Sequence, residues 1–132
     1  LVDFVAPTSD ERRLAACGRT ATGFLYLVSM TGVTGAAASG DIAGYVRRVR
    51  RHCDLPLYVG FGIDGAESAV TAAGSADGVI VGSALLRRVR RFADDGDGAS
   101  AAAAEVVSFL TSIDQALVAA FARRPHATEG RT

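Results

Sequence analysis

Apolar, strand-like runs alternate with amphipathic helical patterns four times along this chain, and three of the runs end in a glycine-rich turn. The runs Gly23 to Ser29, Leu57 to Val59 and Gly78 to Val81 lead into Gly32-Val33-Thr34-Gly35, Gly60-Phe61-Gly62 and Gly82-Ser83. Strand-helix alternation of this kind implies an α/β fold with parallel strands joined by right-handed crossovers. Four units make either a small open sheet or half of a (β/α)8 barrel, whose full length is typically about 250 residues. In both arrangements the turns collect backbone N–H groups at the C-terminal end of the sheet. Such a cluster suits a phosphate, because glycine lets the backbone approach an anion and helix N-termini favour negative charge.

Local signals set the expected elements. Val2 to Ala6 reads as a buried strand, ended by Pro7. Thr8-Ser9-Asp10-Glu11 has the spacing of a capping box with Thr8 as N-cap, followed by a helix carrying Leu14 and Cys17 inward. Gly23 to Ser29 is almost continuously apolar, as expected for a strand covered on both faces. Ser39 or Asp41 can start the next helix, with Ile42, Tyr45, Val46 and Val49 as its stripe. Pro56 suits the start of the third strand. Asp64 and Glu67 repeat the cap-and-acid spacing before a helix from Ala66 to Ala73, which ends at Gly74. Ser83 opens a short helix with Leu85, Leu86 and Val89 expected inward. A last helix runs from about Ser100 to Arg123 with Val106, Leu110, Ile113, Leu117 and Phe121 at three- and four-residue steps. Asp94 to Gly98 is expected to be a connection and residues 125–132 a frayed tail. No linker or second domain interrupts residues 1–132.

Composition narrows the function classes. The 132 residues carry zero formal net charge, so no global attraction to nucleic acid or an anionic membrane is expected. The basic runs Val46 to Arg51 and Arg87 to Arg91 lack interleaved aromatics and read as solvated helix faces. No apolar run long enough to span a bilayer is expected. Cys17 and Cys53 have no metal-ligand or redox spacing and read as half-buried free thiols of a reducing, cytoplasmic compartment. His52 and His126 have no neighbours for a metal site or a nucleophilic triad. The Gly-x-Ser-x-Gly elbow and the Walker lysine are both missing. No cofactor or metal is expected in this chain.

Tyr26-Leu27-Val28-Ser29-Met30-Thr31-Gly32-Val33-Thr34-Gly35-Ala36 resembles the sixth strand and loop of the tryptophan synthase alpha chain. Pro56 to Ile63 resembles its seventh strand, Ala76 to Ala84 its eighth, and Val5-Ala6-Pro7-Thr8-Ser9 the end of its fifth. The resemblance implies the C-terminal (β/α)4 half of a TIM barrel. It implies cleavage of indole-3-glycerol phosphate to indole and glyceraldehyde 3-phosphate by a retro-aldol step, beside a beta chain that uses pyridoxal phosphate. By position, Gly35, Gly62, Gly82 and Ser83 would hold the substrate phosphate, while Tyr26 and Phe61 would line the indole pocket. Thr34 would support the catalytic aspartate from the closing loop. Met30 stands where relatives often carry arginine.

The family's catalytic glutamate and aspartate come from the second strand and its loop, which have no counterpart in this sequence. Asp3, Asp10 and Glu11 are not at the matching positions, so the chain alone is expected to lack indole-releasing activity. Two further readings stay open on the residues: a non-catalytic phosphate-binding half barrel, and another phosphate-binding barrel of histidine or tryptophan biosynthesis. A half barrel leaves two open sheet edges. The expectation is therefore either a segment of a longer natural chain or self-association that closes the sheet.

Overall fold

The computed structural model describes residues 1–28, 41–92 and 98–122. Strands β1 (Asp3–Val5), β2 (Leu25–Leu27), β3 (Leu57–Val59) and β4 (Gly78–Val79) form one sheet in the order β1-β2-β3-β4. All three pairings are parallel. Helices α1 (Glu11–Thr20), α2 (Ile42–Arg50), α3 (Ala66–Ala73) and α4 (Ser83–Arg90) follow the strands in turn, and α5 (Gly98–Phe121) closes the described chain. This is a partial (β/α)8 barrel with its units in sequential order.

The strands are buried on one face only. Leu25, Leu27, Leu57 and Val59 are fully buried in a core shared with Leu14 and Cys17 of α1, Val46 and Val49 of α2, Ala69 and Ala72 of α3, and Phe109 and Ile113 of α5. Each such leucine or valine contributes about 1.5–3 kcal/mol on burial. The opposite face carries Phe4, Tyr26 and Tyr58, which are aligned in register and remain partly or largely exposed. The expectation of a strand covered on both faces is thus corrected. Leu-Tyr-Leu and Leu-Tyr-Val alternate helix-facing aliphatics with open-face aromatics.

Asp77 ties the N-terminal ends of β3 and β4 together. Its carboxylate accepts from the Leu57 amide at 2.8 Å and from Arg50, which also donates to the Leu55 carbonyl at 2.8 Å. Arg50 and Arg88 are therefore not merely solvated: Arg88 stacks 3.6 Å over the Phe109 ring and pairs with Glu105 at 3.5 Å.

Several helix starts and faces differ from the sequence expectation. The N-cap of α1 is Asp10, whose carboxylate accepts from the Arg13 amide at 2.7 Å, and not Thr8. Asp41 does cap α2, through the Gly44 amide. At α3 the cap is Gly65, and the Ser68 hydroxyl, not Glu67, takes the returning bond from the Gly65 amide; Asp64 accepts from that same hydroxyl. In α4 only Ala84 is buried, whereas Leu86 and Val89 are exposed at 65% and 39%. In α5, Phe109 replaces Leu110 as the inward residue beside Ile113. With 24 residues and a mean hydropathy of 1.4 over its most apolar window, α5 is long and apolar enough to cross a bilayer by length and composition, so the reading that no run qualifies is corrected. The Asp94 connection up to residue 97 and the tail at 125–132 lie outside the described residues.

Glu11, freed from capping, joins α1 to α2 instead. It pairs with Arg48 at 2.9 Å and with His52, while Arg48 also donates to the Pro7 carbonyl at 2.9 Å and to that of Ser9. The hydrogen bond from Arg48, with His52 assisting, holds the Glu11 carboxyl below its ordinary value of 4.5. A carboxylate with a depressed folded pKa stabilises the fold above its unfolded pKa and loses that contribution as pH falls through the folded one. Glu11→Gln is therefore expected to flatten the acid limb of a melting-temperature profile below about pH 5 and to leave its alkaline limb unchanged.

Candidate functional site

Parallel strands put all strand ends of one kind at one end of the sheet, so Gly60-Phe61-Gly62 after β3 and Gly82-Ser83 after β4 emerge side by side. The backbone of this end is anchored by the Gly60 amide, which donates to the Leu27 carbonyl at 3.0 Å, and by the Ile80 amide, which donates to Val59 at 2.8 Å. Two of the sequence-selected glycines answer to different constraints. Gly62 sits at φ +66°, a left-handed conformation that disfavours any side chain. Gly82 has an ordinary φ of −123°, and a Cβ there would enter open space with nothing within 4 Å. The open space in front of Gly82 leaves room for a side chain or for an anion.

No side chain caps α4. The Leu85 and Leu86 amides turn back to the Gly82 carbonyl at 3.0 and 3.1 Å. Helix geometry leaves the Ser83 and Ala84 amides with no intrahelical acceptor. They point out of the helix start together with the exposed Ser83 side chain, where the helix dipole favours negative charge.

Tyr26 lies on the open sheet face at this same end. Its hydroxyl donates to the Gly60 carbonyl at 3.3 Å, and its ring tilts against Phe4 with centroids 5.1 Å apart. The ring occupies the space a Cβ on Gly60 would need. On the same face Phe24 stacks on Tyr58 at 4.7 Å, and the Tyr58 ring presses on Gly78. Phe61 is half-buried against the core. Tyr26, Phe61, Gly62, Gly82 and Ser83 are thus collected at the ends of three adjacent strands, while Thr34 and Gly35 lie outside the described residues.

Sequence reasoning passed over Gly60 as the seat of Tyr26, and over Phe4, Phe24 and Tyr58 as an aromatic face. The signal available was the alternation itself, since aromatics occupy the even positions of these strands and leucine and valine the odd ones. The carboxylates considered for acid–base work are elsewhere. Asp3 bonds Arg13 at 2.8 Å, Asp10 caps α1, and Glu11 is held by Arg48 and His52. Among the described residues, no three histidine, cysteine or acidic side chains could share a metal ion. Cys17 and Cys53 are both free and buried, and burial pushes the Cys17 thiol up.

The architecture and the clustered turns define a segment of a (β/α)8 barrel with its loops gathered at the C-terminal end of the strands. The family model of the tryptophan synthase alpha chain matches residues 1–117, and the chain belongs to that family. It is 48% identical over 94 residues to the tryptophan synthase alpha chain of Citrifermentans bemidjiense, covering 70% of this chain and 35% of the relative. It is equally similar to that of Geobacter sp. strain M21. The chain thus spans about a third of the length of these curated relatives. Among solved structures, an alpha chain from Legionella pneumophila superposes with a TM-score of 0.70 at 28% identity, over 88% of this chain and 41% of that one. The alpha subunit from Pyrococcus furiosus gives 0.66 at 27% identity, over 86% and 44%.

Proposed function

We propose that this chain is the phosphate- and indole-binding portion of an indole-3-glycerol phosphate lyase, the alpha component of tryptophan synthase, acting in the cytoplasm beside a beta chain. The observation that carries the reading is the uncapped α4 start at Gly82-Ser83, set next to the left-handed Gly62 and the Tyr26 ring. The Ser83 and Ala84 amides would bond the phosphate oxygens, with Gly35 and Gly62 supplying further backbone. Phe61 and Tyr26 would hold the indole, a flat apolar ring suited to aromatic neighbours. Thr34 would support the catalytic aspartate from the closing loop.

Retro-aldol cleavage needs one group to take the proton of the glycerol hydroxyl and another to protonate the indole ring. By family position, those carboxylates belong to an earlier strand with no counterpart here. This chain's contribution is then binding and orientation, and the edges β1 and β4, unpaired among the described residues, would add self-association to its partners.

Amide shifts of Gly62, Gly82 and Ser83 in a two-dimensional NMR titration test the reading. Glycerol 3-phosphate is expected to shift all three. Indole-3-glycerol phosphate is expected to bind at least about tenfold tighter, a gain of about 1.4 kcal/mol from the ring. No indole release is expected from the purified chain. Equal affinity for the two ligands would support phosphate binding without the lyase role, and no shift at these amides would remove the reading altogether.

A further inference from the structure

The turn from Pro7 to Ser9 follows β1 at the same end of the sheet as the candidate site, and a side chain from a different helix holds it. Inside the turn the bonds are short-range. The Ser9 amide donates to the Ala6 carbonyl at 2.9 Å, and the Ala6 amide donates to Ser9 Oγ at 3.0 Å. Arg48 of α2 supplies the long-range tie and divides its three nitrogens among three acceptors. Nε donates to Glu11 Oε1 at 2.9 Å, one terminal nitrogen donates to the Pro7 carbonyl at 2.9 Å, and the other to the Ser9 carbonyl. His52 meets the second oxygen of the same Glu11. An ion pair between two helices needs only the carboxylate, yet two of these three bonds go to the backbone of the turn.

The place of the turn shows which part of the site it borders. β1 lies beside β2, with Phe4 opposite Tyr26 and their ring centroids 5.1 Å apart. The Val28 amide donates to the Val5 carbonyl at 2.9 Å, so the pairing holds up to the start of the turn. The amides proposed to bind phosphate follow β3 and β4, across β2 from β1. The turn therefore adjoins the aromatic side of the site and is remote from the phosphate side.

We propose that Arg48 is a positioning residue for the ring-binding side: by joining Pro7, Ser9 and Glu11 it fixes the β1–α1 turn, and through it the Phe4–Tyr26 pair that would take the indole. This rests on the lyase reading. Arg48 acts through the turn and not on the ligand. Its geometry calls for arginine, because a planar guanidinium sends N–H bonds in several fixed directions. A lysine ammonium is a compact charge that cannot span two carbonyls and a carboxylate from the same stem. A small displacement of one wall costs affinity for the group that meets it and spares the group bound elsewhere.

Arg48→Lys keeps the charge beside Glu11 and is expected to release the turn. Hydrogen exchange at the Ala6 and Ser9 amides should speed up about tenfold, while the Ile80 amide, bonded to Val59 within the sheet, should exchange as before. In the NMR titration the dissociation constant for indole-3-glycerol phosphate should rise about fivefold, with that for glycerol 3-phosphate within about twofold of the parent chain. Arg48→Gln, which can still bond one carbonyl, should change the ratio of the two constants at least as much. Glu11→Gln leaves an acceptor for Arg48 Nε while removing the carboxylate, and should leave both constants in place. Equal losses for both ligands, or faster exchange at Ile80 together with Ser9, would make Arg48 a structural residue only and overturn the proposal. A ratio unchanged in Arg48→Lys, with the parent chain still preferring the indole ligand, overturns this role alone. A parent chain that binds both phosphates equally overturns the lyase reading and this role with it.

Discussion

Gly18→Ala is expected to destabilise the chain by about 2 kcal/mol, although it places the best helix former inside a helix. The gain from removing glycine in a helix interior is about 1 kcal/mol. Against it stands the position of the missing Cβ, which would overlap the backbone carbonyl oxygen of His52 and lie 3.5 Å from the Cys53 Cα. Those atoms belong to the backbone just after α2, so no rotamer change can clear them. The helix α1 must shift away from fully buried partners, and overpacking of that kind costs typically about 1–3 kcal/mol and occasionally more. A small domain has only about 5–15 kcal/mol in total. The urea midpoint should fall with little change in slope, since the same surface is exposed on unfolding. An unchanged or raised midpoint would mean that α1 and α2 are not in this close contact.

Gly60→Ala is expected to act on the site more than on the fold. Its Cβ would fall within the Tyr26 ring, but here the obstacle is a side chain with an exposed side to turn toward. The ring swings out, loses its bond to the Gly60 carbonyl and leaves its contact with Phe4. The stability cost should stay near the low end of about 1–3 kcal/mol. Affinity for an indole-bearing phosphate should drop about tenfold or more, while glycerol 3-phosphate, which needs only the turns, should bind nearly as before. Tyr26→Ala already removes the ring, so adding Gly60→Ala to it should cost almost nothing further. That non-additivity is the signature of direct contact. Equal losses for both ligands would show that Gly60 acts through the backbone of the turn and not through the tyrosine.

Much of the site was visible in the sequence because glycine, serine and aromatic residues mark turns and faces by their own chemistry. Gly62 is a glycine for a local reason, its left-handed φ, which sequence reasoning can anticipate. Gly60 and Gly18 are glycines for reasons held by residues 34 positions away in each case, Tyr26 and His52, and no local pattern announces that. The same division separates the helix ends. Thr8 and Glu11 have the spacing of a capping box, but Glu11 gains more from Arg48 and His52 across the helix pair, and Asp10 takes the cap. Asp64 and Glu67 were displaced by Ser68 in the same manner.

The order and type of the elements follow from the sequence alone, down to the bounds of β3 and α3, because hydrophobic period and helix-ending glycine act within a few residues. Which side of each element is covered was decided only in three dimensions. Leu86 and Leu110 fit an inward stripe as well as Leu14 or Val49 do, yet among the described residues nothing stands opposite them and they face outward. Periodicity can state that a face is apolar; whether that face is buried depends on what the rest of the assembly brings against it.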